Sequence, residues 1–304
     1  MNLMQLQSTN SLKEQPAKPG QEAGAPDPPL TTLLLWLTIL SLDAPAVAVL
    51  WQLIFARSFN VRVEASTTIL LALVVWLIYV ADRVLDALKA PSKGAEPARH
   101  IFYRQHLWAF LVPLCAGVVF AAWLSLNELD SRTFRNGLII LFAVGAYLLA
   151  VHLLSGGREW LPKEMLVGVL FALGTCFPVW EHMTQDVAAL AAPYLLFTAL
   201  CWMNCVAIEH EEWIRLRQRK FGSPHPWTIW MGSHFMMLSF AAAAIASCSI
   251  ALGLGRAHWQ LFTCELLSSL AFVMIRLKSK SLSIDRFRVL VDVALFTPLL
   301  FLPF

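Results

Sequence analysis

The chain has 304 residues, 58% of them apolar and only 14% charged, against roughly 25% charged in an ordinary soluble domain. A net charge of +3 and six scattered Cys exclude a nucleic-acid binder and a disulfide-stapled secreted module. The apolar excess excludes a disordered chain and a pair of soluble domains, leaving an all-α polytopic membrane protein.

Residues 1–30 differ from the rest. They are rich in Gln, Ser, Pro, Gly and Ala and contain no apolar run. They read as a disordered cytoplasmic tail, neither signal peptide nor span. Residues 31–304 read as one transmembrane domain. A spanning helix needs about 20 mostly apolar residues. Nine such stretches follow in order: 31–56, 66–83, 107–124, 136–154, 164–180, 188–208, 228–253, 257–275 and 287–303.

Charge then sets orientation. Of the 23 Lys and Arg, 18 lie in the tail and in the connections 2–3, 4–5, 6–7 and 8–9. Only Arg57, Arg62, Arg132, Arg135 and Arg256 lie on the other side. The positive-inside rule therefore puts the N-terminus in the cytoplasm and the C-terminus opposite.

Two acidic groups collect at helix ends on that cytoplasmic face. The second stretch ends Ala81-Asp82-Arg83-Val-Leu-Asp86. Asp82 and Asp86, at i and i+4, share one helix face and repel unless a cation lies near. Mg²⁺ takes one or two carboxylates and fills its other positions with water and phosphate oxygens, so a diphosphate ester is the natural guest. The bland alternative is a solvated helix end paired with Arg83. The sixth stretch runs into Asn204, Glu209, His210, Glu211 and Glu212, with Glu209 and Glu212 on one face at i and i+3. Here the alternative is acidic punctuation before a basic loop.

The run from Ala81 to Asp86, at the end of the second of nine helices, resembles the first aspartate-rich motif of the UbiA superfamily of intramembrane prenyltransferases. The family pattern is Asn-Asp-x-x-Asp-x-x-x-Asp. Asp82 and Asp86 match its last two aspartates, while Ile78 and Tyr79 stand where the leading Asn-Asp belongs. The segment from Tyr147 to Gly174, with Arg158, Lys163 and Gly168, is similar to the family's passage from helix four to helix five. Asn204, Glu209, Glu211 and Glu212 occupy the place of the second aspartate motif without its regular spacing.

The resemblance implies a UbiA-like bundle. It implies Mg²⁺ held by Asp82, Asp86, Glu209 and Glu212, and a prenyl group passed from a polyprenyl diphosphate to a hydrophobic, aromatic or quinone-precursor acceptor in the membrane. Asp82 and Asp86 would be catalytic. Arg83, Arg99, Arg104, Arg158, Lys163 and Asn204 would hold the substrate, the basic ones doubling as lipid-headgroup anchors. Two rival readings stand beside it: a UbiA-fold protein that binds or moves a lipid or quinone without catalysis, and a secondary transporter, which would show broken helices near the midplane.

Asp43, Glu265 and Asp292 lie inside apolar stretches, where a carboxylate is either functional or an interhelical hydrogen-bond partner. Cys201 and Cys205 lack partners at zinc-like spacing, and the His residues are dispersed. Trp36, Trp51, Trp160 and Trp180 read as interfacial belts, while Trp202 and Trp213 beside the acidic group are candidates for cavity lining.

Overall fold

The computed structural model describes residues 36–89, 98–151, 162–183, 188–216, 224–252 and 258–302, though not the side chains of 87, 89, 98–101 and 216. The expected tail, 1–30, lies outside the described residues. Every regular element among those described is helical: α1 Asp43–Ser58, α2 Ala65–Lys89, α3 Ala98–Gln105, α4 Leu107–Glu128, α5 Ser131–Leu149, α6 Lys163–His182, α7 Ala188–Leu216, α8 Pro226–Ser233, α9 Phe235–Ala251, α10 Trp259–Lys278 and α11 Ile284–Val293. Apolar chain in lipid has no water to satisfy its backbone, so it satisfies itself as helix.

Among the described residues, six helices (α2, α4, α5, α6, α7 and α10) are long and apolar enough to cross a membrane, and the pair α8–α9 makes a seventh if taken as one bent span. Their outward faces are apolar, with Phe142 78% and Val119 70% exposed. A soluble protein would bury such faces. Here they are surface for lipid, and the build is that of an integral membrane protein.

Three of the nine expected stretches are not continuous crossing helices. In the first, helix is already present at residues 36–39, breaks at Ser41, whose φ is 58°, and resumes at Asp43. The Ser41 hydroxyl lies 3.0 Å from Tyr103 Oη, which anchors the turn, and Pro45 fits the first turn, where no N–H donor is needed. The sixteen residues of α1 rise about 24 Å, short of the roughly 30 Å hydrocarbon core. The seventh stretch bends by 71° between α8 and α9. Gly232 is pressed there against the ring of His210, and His234 Nδ1 bonds the Trp230 carbonyl at 2.8 Å. The ninth gives ten residues of α11 and then a 3₁₀ turn, Thr297–Leu300. Thr297 Oγ1 donates to the Cys264 carbonyl at 3.0 Å, so this turn is tied to α10 and does not extend α11.

Helices α1 and α7 form the interior. α1 packs against α2, α6, α10 and α11, and α7 packs against α6 and α8 through α11. Trp51 stacks on Phe197 with centroids 4.3 Å apart, and its Nε1 donates to the Leu295 carbonyl at 2.8 Å. Trp51 is therefore core, fully buried, and not part of a belt. Hydropathy cannot separate the two, because both environments favour Trp. Trp36 and Trp180 are half-exposed, as a belt requires; Trp160 lies outside the described residues.

α6 meets α7 most closely at Gly168. A Cβ there would stand 2.7 Å from the backbone N and Cα of Trp202, inside any real contact. Gly168→Ala must push two main chains apart, and overpacking of this kind costs about 1–3 kcal/mol. The expected result is a lowered thermal unfolding temperature in detergent, together with weaker binding at the cavity flanked by these helices.

α5 starts on a side-chain cap. Asp130 Oδ1 accepts from the Arg132 and Thr133 N–H groups at 2.9 and 3.0 Å, and Oδ2 accepts from Thr133 Oγ1 at 2.6 Å. The Thr133 bonds favour the charged carboxyl and hold it down at about 2. The folded value lies below the unfolded one, so the stabilisation is full above about pH 4 and disappears as pH falls toward 2. Asp130→Ala is expected to lower the unfolding temperature at pH 7, with the gap to the parent closing between about pH 4 and pH 2.

Candidate functional site

The chain turns at alternate ends of the bundle. The C-terminal ends of α2, α5 and α7 therefore meet the N-terminal ends of α1 and α6 at one end. Between them, with α11 as a further wall, lies a cavity of about 340 Å³. Seven carboxyl side chains line it (Asp43, Asp82, Asp86, Glu164, Glu209, Glu212 and Asp292), against three cationic ones, Arg83, Lys163 and Arg288. Val47, Leu148, Val167, Phe171 and Leu295 supply apolar wall. A space with a charged mouth and an apolar flank suits an amphiphile with a charged head.

Residues far apart in sequence meet here. Asp82 and Asp86 from α2 share the cavity with Asn204, Glu209 and Glu212 from α7 and with Lys163, the first residue of α6. Lys163 Nζ lies 3.5 Å from Glu209 and 4.0 Å from Glu164. Glu164, 3% exposed, accepts from Thr228 Oγ1 at 2.7 Å. Glu212 pairs with Arg288 of α11. Both α7 carboxylates thus have a cation from the chain itself.

Deeper in the cavity, Asp43 of α1 and Asp292 of α11 come within hydrogen-bond reach of each other. Asn204 Nδ2 donates to Asp292 Oδ1 at 3.0 Å. Arg83 Nη1 donates to the Thr38 carbonyl, closing the wall above them. Asn204 and Arg83 therefore hold the frame of the cavity at the positions expected to grip substrate.

Glu211 faces away from this site. Its Oε1 accepts from Arg215 Nε and Nη2 at 2.9 and 2.7 Å, and its Oε2 from Arg276 Nη1 at 2.6 Å. Arg215 also donates to the Ser279 and Leu282 carbonyls, both at 2.7 Å. This network ties the end of α7 to the end of α10. The separation follows from helical period: Glu209 and Glu212 are about 60° apart around α7, whereas Glu211 lies about 160° from Glu209 and about 100° from Glu212.

The remaining expected residues are not brought to the cavity. Arg104 is exposed on α3 and lines no part of it, because Tyr103, one position earlier, is the residue turned inward. The Arg99 side chain and the whole of Arg158 lie outside the described residues. Trp202 and Trp213 do not line the cavity either; the Trp202 backbone is occupied by Gly168. Cys201 and Cys205, by contrast, are wall residues.

Tyr79 and Tyr147, noted in the sequence only for their places in the resemblance, line the cavity, and sequence reasoning passed over Glu164 and Arg288 as site residues. Only Glu164, charged at the start of an apolar stretch, carried a signal of its own.

Among the described residues no three His, Cys, Asp or Glu side chains form a group that could cage a metal ion. The cavity nevertheless offers carboxylates at the i and i+4 positions of α2, and hard oxygen donors of this kind, one or two per ion, are what Mg²⁺ asks of a protein. The chain matches no family model, no curated protein and no solved structure in the comparisons made.

Proposed function

We propose that the chain is a UbiA-like enzyme with nine crossings and a cytoplasmic N-terminus, in which α1 and α11 with its following turn serve as the short first and last crossings. It transfers a prenyl group from a polyprenyl diphosphate to a lipid-soluble aromatic or quinone-precursor acceptor. The observation that carries this reading is the meeting of Asp82 and Asp86 with Glu209, Glu212 and Lys163 around one cavity that also has apolar wall.

Asp82 and Asp86 would hold Mg²⁺, with Glu209 and Glu212 as the opposing acidic wall. Bound there, the ion supplies charge neutralisation for the leaving diphosphate. Lys163 and Arg288 hold the α7 carboxylates in place and add positive charge beside the phosphate oxygens. Arg83 and Asn204 keep α1, α7 and α11 in register. As the C–O bond of the substrate breaks, its electron pair passes to diphosphate, and the acceptor forms the new bond to carbon and gives up its C–H or O–H proton to the departing diphosphate or water. Phe171 and the aliphatic wall exclude water from the prenyl carbon, so the acceptor captures it in preference to hydrolysis.

A second reading has its own support. The pairing of Glu209 with Lys163 and of Glu212 with Arg288, together with Ile78 and Tyr79 in place of Asn-Asp, suits a protein that binds a lipid or quinone and does not turn it over. One experiment separates the two. The purified chain is given Mg²⁺ and labelled geranylgeranyl diphosphate, and both binding and diphosphate release are followed. Release lost in the Asp82→Ala, Asp86→Ala double variant supports transfer. Binding without release, lost in the same variant, supports the second reading, and neither binding nor release across chain lengths ends both.

A further inference from the structure

Away from the cavity, the interior of the bundle holds polar atoms that bond nothing among the described residues. Gln52 of α1, Thr175 of α6 and Glu265 of α10 are all 0% exposed. Gln52 Oε1 and Nε2, Thr175 Oγ1 and both carboxyl oxygens of Glu265 have no hydrogen-bond partner among the described residues. An unpartnered polar group at such a place costs several kcal/mol in hydrocarbon, and an unpartnered carboxylate more.

The helix registers put these three side chains at one height. His258 Nδ1 bonds the Ser58 carbonyl at 2.8 Å and its ring stacks on Phe59, which fixes α10 antiparallel to α1. Gln52 lies six residues before Ser58 and Glu265 seven after His258, a rise of about 9–10 Å along each helix. α6 runs parallel to α1, since both helices start at the acidic cavity, and Phe171 packs against the cluster of Ala44, Ala48 and Val75. One turn further along both helices, Thr175 lies beside the turn of α1 from Ala48 to Gln52. Glu265 also acts electrostatically on Cys176, the next residue of α6. Among the described residues, Glu265 has no ion pair with a Lys, Arg or His.

From this we infer that Gln52, Thr175 and Glu265 form a binding site for one monovalent alkali cation inside the bundle. The donor set is a carboxylate, an amide oxygen and a hydroxyl, all hard oxygens suited to Na⁺ or K⁺. The single carboxylate fixes the charge: a monovalent ion is balanced, whereas a divalent one would leave a net positive charge in hydrocarbon. A neutral hydrogen-bonded lock would close the three side chains on one another, but none of the five atoms bonds another. The site is separate from the acidic cavity and goes beyond the prenyl-transfer reading, on which it does not depend.

The test is thermal unfolding of the full chain in detergent, with NaCl, KCl or choline chloride at equal ionic strength. Na⁺ or K⁺ is expected to raise the unfolding temperature saturably, by about 5 °C over choline. Glu265→Gln removes the rise, and Gln52→Leu and Thr175→Val weaken it. Equal temperatures in all three salts overturn the inference, as does a cation response that survives Glu265→Gln. If Glu265→Gln does not fold, Gln52→Leu decides: an undiminished response there also overturns it.

Discussion

Replacing Asp82 and Asp86 together by Ala is expected to lower Mg²⁺-dependent diphosphate release at least about a thousandfold while leaving the helix content unchanged. The loss corresponds to about 4 kcal/mol of barrier, the scale on which preorganised charge at a leaving group acts. Both side chains sit on one face of α2, where it ends at the cavity. Their removal opens the acidic mouth without disturbing the packed face of the helix, since Val75, Val80 and Val84 carry the burial there. The check is labelled diphosphate release alongside circular dichroism and thermal unfolding. Release at the parental rate in a folded double variant would reject the α2 pair as the reaction centre.

The largest stability effect is expected at Glu211, outside the site. Glu211→Gln leaves Arg215 and Arg276 facing each other over an amide that cannot balance either charge. Breaking a buried ion network from one side costs about 3–5 kcal/mol; the two arginines keep about a quarter of their side-chain surface in contact with solvent, so the lower end applies. The loss should appear as early unfolding with the end of α7 released from α10. Glu209→Gln, two positions earlier, removes a side chain that is 31% exposed and only loosely paired with Lys163. Its cost is expected within about 1 kcal/mol. Parallel unfolding curves for the two variants distinguish a carboxylate that holds the fold from one that faces the cavity.

The long helices were legible because hydropathy is summed over many residues. α2, α4, α5, α6, α7 and α10 each fall on an apolar stretch, with ends displaced by up to eight residues. The breaks were not legible because single backbone events cause them: the left-handed Ser41, the Gly232–His210 contact at the α8–α9 bend, and the Thr297 hydroxyl that captures the last turn. None of these changes a window average. The site divides the same way. Asp82 with Asp86 and Glu209 with Glu212 follow from helical period within one element. The Asn204–Asp292 bond spans 88 positions, and the Glu212–Arg288 pair is comparably remote. Such pairings depend on which helices become neighbours, and no local pattern encodes that.

α5 shows what holds one wall of the cavity. Only 11% of its membrane window is buried within the protein, and among the described residues its main packing partner is α6. Yet Tyr147 and Leu148 at its end, with Val151 just beyond, stand in the cavity wall. Lateral pressure from acyl chains therefore does for this wall what protein packing does for the others. The cavity is in this sense completed by the bilayer, and its shape answers to lipid thickness and order as much as to sequence.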